Sequence, residues 1–134
     1  MSYKDYIDEV PDFPVEGVNF KDLSPLLSDE KLFRTAIIEM GRKVEIPDFW
    51  VGIDSRGYVF ASALSMMYGG GVVCARKEGK TPGDIISVDY DLEYGSAKLE
   101  MQKVGMGYGE VVIVDDVLAT GGTLQATNYL AEKA

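Results

Sequence analysis

The chain has 134 residues, 46% of them hydrophobic and 26% charged. That suits one compact domain with a packed core and argues against a disordered or fibrous chain. Its 22 acidic and 13 basic residues leave a formal charge of −9, so nucleic-acid backbones and anionic lipid are poor main partners, and any phosphate ligand needs a local cluster of cations.

Histidine is absent and cysteine occurs once, as Cys74. This excludes Ser-His-Asp and Cys-His nucleophile systems, His-ligated zinc or iron, multi-cysteine metal sites and an intramolecular disulfide. A reducing, cytoplasmic setting fits best. Proton transfer falls to carboxylates, Lys, Tyr or substrate groups, and a metal would be a hard cation bound through oxygen. The N-terminus lacks the basic start and apolar stretch of a signal peptide, and no apolar run reaches membrane-spanning length.

In chain order, residues 2–10 read as a short helix and Pro11–Gly17, with two prolines and a glycine, as a shaped turn. Ser28 is placed to cap a helix with Asp29 and Glu30 in its first turn; Leu32, Phe33, Ala36, Ile37 and Met40 carry its apolar stripe to about Val44. Trp50–Ile53 is a short buried strand ending in Asp-Ser-Arg-Gly, and residues 58–68 are helix-like. After the Gly69–Gly71 break, Val72–Ala75 is a second buried strand containing Cys74, which reads as a core residue, and Arg76–Gly83 is a basic loop. Alternation at Tyr90, Leu92 and Tyr94 and again at 98–103 suggests a hairpin turning at Gly95-Ser96-Ala97. Val111–Val114 is the strongest candidate for a buried strand, and a helix runs from about 122 to the end. The remaining aromatic and methionine residues, Met66-Met67 included, read as packing. This order implies an α/β fold with a mostly parallel sheet flanked by helices.

The segment Val-Val-Ile-Val-Asp-Asp-Val-Leu-Ala-Thr-Gly-Gly-Thr-Leu (111–124) carries the most chemistry. A strand delivers Asp115 and Asp116 to its carboxyl end, where open α/β sheets bind ligands. Adjacent carboxylates suit the adjacent hydroxyls of a ribose. The backbone N–H groups of 119–123, with the Thr120 and Thr123 hydroxyls, can surround a phosphate at a helix start, and Gly121 and Gly122 allow close approach. Taken alone, acids after a strand are common. No lysine follows the glycines, so this is not a Walker A loop; Gly105-Met-Gly107-Tyr-Gly109 precedes a strand, so it is not a dinucleotide fingerprint.

The fourteen-residue segment resembles the 5-phosphoribosyl-1-pyrophosphate signature of type I phosphoribosyltransferases. Five further stretches, Pro11–Gly17, Phe20–Leu27, Gly52–Tyr58, Arg76–Gly83 and Tyr90–Gly95, resemble the adenine phosphoribosyltransferase family in the same order, from about residue 8 onward. The resemblance implies a single domain over 1–134: a hood at about 1–25 that binds the base, and a type I core at 26–134 with a hairpin as its flexible loop.

The implied reaction is adenine plus 5-phosphoribosyl-1-pyrophosphate giving AMP and pyrophosphate. Implied roles are the ribose for Asp115 and Asp116, and the 5-phosphate for Ala119, Thr120, Gly121, Gly122 and Thr123. Asp54, Ser55, Arg56 and Gly57, with Arg76, Lys77 and Lys80, are implied for pyrophosphate. Composition supports the last group: residues 56–82 hold these four cations against one acid, Glu78. Asn19, Phe20 and Lys21 are implied for adenine, although Asn19 stands where the family usually has an apolar residue. Glu93 and Tyr94 match the family's active-site loop, with Glu93 as general acid/base; the residues alone equally allow Glu93 to be an exposed hairpin side chain. Mg²⁺ is implied as cofactor, held mainly by substrate oxygens and water rather than by protein ligands. A homodimer is implied as well.

Two other readings stay open: a regulator that binds phosphoribosyl pyrophosphate without catalysis, and a transferase for hypoxanthine or guanine. The chain ends at Ala134 within the helix after the signature loop, where the family continues with a further strand and helix. The expectation is a core incomplete at its C-terminus, a fragment or one completed by a partner, with a sheet edge left uncovered.

Overall fold

In a computed structural model, the chain is described at residues 2–92, 95–103, 109–116 and 122–134, with the side chains of 92, 122 and 123 left aside. It forms two compact units, Met1–Lys43 and Val44–Ala134.

The first unit opens with a 3-10 turn at Tyr3–Tyr6, then strand β1 (Asp8–Val10), which pairs antiparallel with β2 (Phe20–Asp22). The helix expected over 2–10 is therefore only a turn. The non-local partner at 20–22 draws the rest into a sheet, a pairing no local periodicity reveals. The Pro11–Gly17 stretch is a turn, closed by the Phe13 N–H donating to Val18 O at 3.0 Å and the Gly17 N–H donating to Asp12 Oδ1 at 2.9 Å.

Helix α1 (Ser24–Ser28) follows, and α2 (Glu30–Arg42) buries Leu32, Ala36 and Ile37. The cap of α2 is Asp29, not Ser28. The Asp29 carboxylate accepts from the Lys31 and Leu32 N–H groups, both at 3.0 Å, while Ser28 ends α1.

The second unit is a mixed five-stranded sheet in the order β5-β6-β4-β3-β7 with two helices. Strands β3 (Phe49–Ile53), β4 (Gly71–Lys77) and β7 (Val111–Val114) run parallel with β3 in the middle; β5 (Ile85–Leu92) and β6 (Gly95–Gln102) form an antiparallel hairpin joined to β4 through β6. The central β3 is apolar throughout because both of its faces are covered. Helix α3 (Arg56–Tyr68) crosses from β3 to β4 on the Gly52 face. Helix α4 (Gly122–Lys133) packs on the opposite face, where Ala126 and Leu130 meet Val51, Ile53, Val73, Ala75, Leu99 and Met101.

Three readings need correction. The last hairpin pair is Leu92↔Gly95, so Gly95-Ser96-Ala97 lies within β6 rather than in the turn; Gly95 needs its glycine because its φ is 105°. Val111–Val114 is only half-buried except at Val114, because β7 pairs with β3 alone among the described strands. Met66 and Met67 are not packing. The inward stripe of α3 is Gly57, Phe60, Ala61 and Leu64, and the helical period turns Met66 out to 88% exposure, with Met67 also exposed.

Gly52 and Gly57 let α3 touch the sheet. A Cβ on Gly57 would lie 2.6 Å from Val114 O, and one on Gly52 would lie 2.9 Å from Gly57 O. Backbone cannot yield as a flexible side chain can. Gly57→Ala should therefore destabilise the protein by about 1–3 kcal/mol, read as a lower denaturant midpoint at unchanged slope; an unchanged midpoint would show that the helix start shifts freely.

Candidate active site

Because β3, β4 and β7 are parallel and in register, with Ile53 opposite Ala75 and Gly52 opposite Val114, their carboxyl ends emerge side by side. Beyond β3 come Asp54 and Ser55 and the first turn of α3 with Arg56 and Gly57. Arg76 and Lys77 close β4, and Asp115 and Asp116 follow β7. Arg76 and Lys77 are thus strand residues rather than loop; Lys80 lies just past the strand and is exposed.

Side chains bind these ends together. The Asp54 N–H donates to Ala75 O at 2.9 Å, and Asp54 Oδ2 accepts the Lys77 N–H at 3.1 Å. Arg56 Nε reaches Asp116 Oδ2 at 2.7 Å, with the Asp116 side chain only 6% exposed. Tyr58, which the sequence reading passed over, donates its hydroxyl to Ala75 O at 3.1 Å, and the Arg76 guanidinium lies 5.8 Å from its ring centre. Burial and the neighbouring Asp54 push the Tyr58 phenol well above its usual range, so it stays a donor. The α3 N-cap, Ser55, makes no side-chain capping bond, so the helix start retains the N–H groups that favour an anion.

Asp115 is pushed from 3.8 up to about 7. Burial is the largest cause, followed by the hydrogen bond and charge of Asp116; the Asp116 backbone N–H, 2.8 Å from Asp115 Oδ1, and the Arg56 charge pull the other way. Burial beside a second acid thus holds the Asp115 carboxyl well above the usual carboxylate range.

In the first unit, Asn19 and Lys21 meet one carboxylate. Asn19 Nδ2 donates to Glu9 Oε2 at 3.2 Å, and Lys21 Nζ pairs with Glu9 Oε1. Phe20 packs edge-on against Phe13, with ring centres 5.2 Å apart. Glu9 is a residue the sequence reading missed. The available signal was opposite charge at Glu9 and Lys21, which face each other once β1 and β2 pair.

Glu93, Tyr94, Ala119, Thr120 and Gly121 lie outside the described residues; Gly122 and Thr123 begin α4. Among the described residues no cluster of three acidic or sulfur ligands could hold a metal. No described helix is long and apolar enough to cross a membrane.

Residues 31–133 match the family of the phosphoribosyl transferase domain. The chain is 46% identical to an adenine phosphoribosyltransferase of Mycoplasma mobile, over 97% of this chain and 77% of that protein. The fold is similar to the crystal structure of adenine phosphoribosyltransferase from Thermoanaerobacter pseudethanolicus, with a TM-score of 0.91 at 41% identity over 98% of this chain and 78% of that one. It is similar also to the Giardia lamblia enzyme complexed with 9-deazaadenine, with a TM-score of 0.90 at 39% identity over 99% and 77%.

The Asp115 shift sets a sign for stability against pH. The folded state holds its proton up to about 7, whereas the unfolded chain releases it near 3.8. The folded state therefore binds more protons between those values, and this group's contribution to stability falls as pH rises through them. Asp115→Asn, which imitates the protonated acid, should gain melting temperature relative to the parent protein as pH rises from 4.5 to 7.5. A difference that stays constant across that range would show that Asp115 titrates normally.

Proposed function

The chain belongs to the adenine phosphoribosyltransferases, and from that premise we propose that it transfers the 5-phosphoribosyl group from 5-phosphoribosyl-1-pyrophosphate to adenine, releasing AMP and pyrophosphate. One observation carries the reading. Adjacent carboxylates, a helix start without a side-chain cap and the cations Arg56, Arg76 and Lys77 converge at the carboxyl ends of three parallel strands in a chain of net charge −9. A ribose phosphate carrying a pyrophosphate asks for that combination: acceptors for hydroxyls beside donors for phosphates. The 9-deazaadenine in the Giardia lamblia relative supports adenine as the acceptor.

In this reading Asp115 and Asp116 accept from the ribose hydroxyls, and Ala119, Thr120, Gly121, Gly122 and Thr123 surround the 5-phosphate. Ser55, Arg56 and Gly57 at the start of α3, with Arg76, Lys77 and Lys80, hold the pyrophosphate. Asp54 acts on the same group indirectly: its carboxylate holds the Lys77 N–H, and an acid facing pyrophosphate would repel it. Mg²⁺, when bound, neutralises pyrophosphate oxygens and so eases their departure.

As the glycosidic bond to C1 of the ribose forms, positive charge builds on the sugar. Fixed carboxylates beneath it and fixed cations around the leaving group stabilise that separation without reorganising. Glu93 is the acid/base for the adenine ring, Tyr94 is the second catalytic residue, and Asn19, Phe20 and Lys21 are the adenine-binding residues. A homodimer is the working unit, and the cytoplasm is the setting, in keeping with the free thiol of Cys74.

Assays of adenine, hypoxanthine and guanine with phosphoribosyl pyrophosphate and Mg²⁺ should show turnover strongly favouring adenine. Binding of phosphoribosyl pyrophosphate without turnover of any base would favour a regulator, and faster use of hypoxanthine or guanine would overturn the adenine assignment. Replacing both Asp115 and Asp116 by Asn should lower kcat/KM for phosphoribosyl pyrophosphate by about 100-fold, the loss expected when charge-assisted bonds become neutral ones. Near-normal kinetics in that variant would remove the ribose role.

A further inference from the structure

Glu100 sits in the middle of β6, opposite Arg76 of β4 and Ser87 of β5, and only 5% of it is exposed. Its neighbours Leu99 and Met101 join the apolar core on the other face of the sheet. A carboxylate is a costly residue to bury here unless something specific receives it. What receives it is backbone: the Gly79 N–H donates to Glu100 Oε1 at 3.0 Å. The Gly79 N–H is also the main reason that the acid is held below the usual carboxylate range, against the opposing effect of burial.

The stretch after β4 is gripped twice. Asp54 holds the N–H of Lys77 from the β3 side, and Glu100 holds the N–H of Gly79 from the β6 side. Between and beside these anchors stand the exposed Lys77 and Lys80. A lysine ammonium is a flexible point charge, so its effect on an anion depends on how firmly its backbone is fixed.

We infer that Glu100 is a positioning residue for pyrophosphate recognition: its buried carboxylate fixes the 78–81 turn so that Lys77 and Lys80 meet the pyrophosphate group from a set backbone. The inference rests on the proposed phosphoribosyl transfer. It assigns to Glu100 no contact with substrate, so its loss should act on pyrophosphate affinity and leave the base untouched.

The test is Glu100→Gln in the full chain. It keeps size and an oxygen that can accept the Gly79 N–H but removes the charge. KM for phosphoribosyl pyrophosphate and the dissociation constant of inorganic pyrophosphate should each rise about tenfold, the difference between a charge-assisted bond and a neutral one, with KM for adenine within twofold of the parent. If Glu100→Gln does not fold, Gly79→Ala decides the question. Gly79 has φ 83° with open space around a Cβ, so alanine strains only the turn that presents its N–H, and the same selective loss is expected. Unchanged pyrophosphate affinity in the folded variant, or equal rises in the pyrophosphate and adenine constants, would overturn the assignment. Failure of the parent protein to bind pyrophosphate would instead strike the proposed function beneath it.

Discussion

Asp48 ties the starts of three strands to one another. Its carboxylate accepts the Glu110 N–H at 2.8 Å, its N–H and that of Phe49 donate to Glu110 O, and its own carbonyl accepts the Gly71 N–H at 2.8 Å. With the beginnings of β3, β4 and β7 fixed, parallel pairing carries the register to their carboxyl ends, since a slip of one residue would turn every core side chain outward. The position of each charged group at the site follows from this. Asp54, Arg76 and Asp115 are the first residues beyond the parallel register pairs, so none depends on a long loop for its place.

The second consequence is the seating of α3. Because neither Gly52 nor Gly57 has a side chain, the helix starts against Val114 O. That contact brings Arg56 within 2.7 Å of Asp116 on the neighbouring strand end. A helix held one methyl farther off would separate the pair, leaving a buried carboxylate with less compensation. The backbone approach and the ion pair are thus one device. The same economy holds on the other side, where acids that could not bind a phosphate themselves are used on backbone: Asp54 on Lys77 and Glu100 on Gly79. This reconciles a chain of net charge −9 with an anion-binding end. The acids near the cations fix the chain that carries them.

How much of this was legible in the sequence depends on the range of each interaction. The parallel strands could be read because each has its own apolar run, at 50–53, 72–75 and 111–114, and the glycine–acid punctuation marks where they end. The convergence of Asp54, Arg76 and Asp115 followed from topology once those strands were placed. What could not be read was anything decided by a partner far along the chain. Asp8–Val10 has no strand signal apart from Phe20–Asp22, and so Glu9 was invisible as the partner of Asn19 and Lys21. Tyr58 and Glu100 looked like an ordinary helical aromatic and an ordinary strand acid, because their hydrogen bonds go to backbone atoms 17 and 21 residues away. Gly95 was misread for a local reason: its positive φ marks a glycine requirement, but at the first residue of a strand rather than in the turn.

The acid pair at the end of β7 joins these themes. Burial and mutual repulsion lift Asp115 to about 7, while Arg56 opposes the rise. Burial this close to the core disfavours the charged form of the Asp115 carboxyl. The cause is where the strand stops: one residue earlier Val114 is buried in the sheet, and at Asp115 the chain has only half emerged from it.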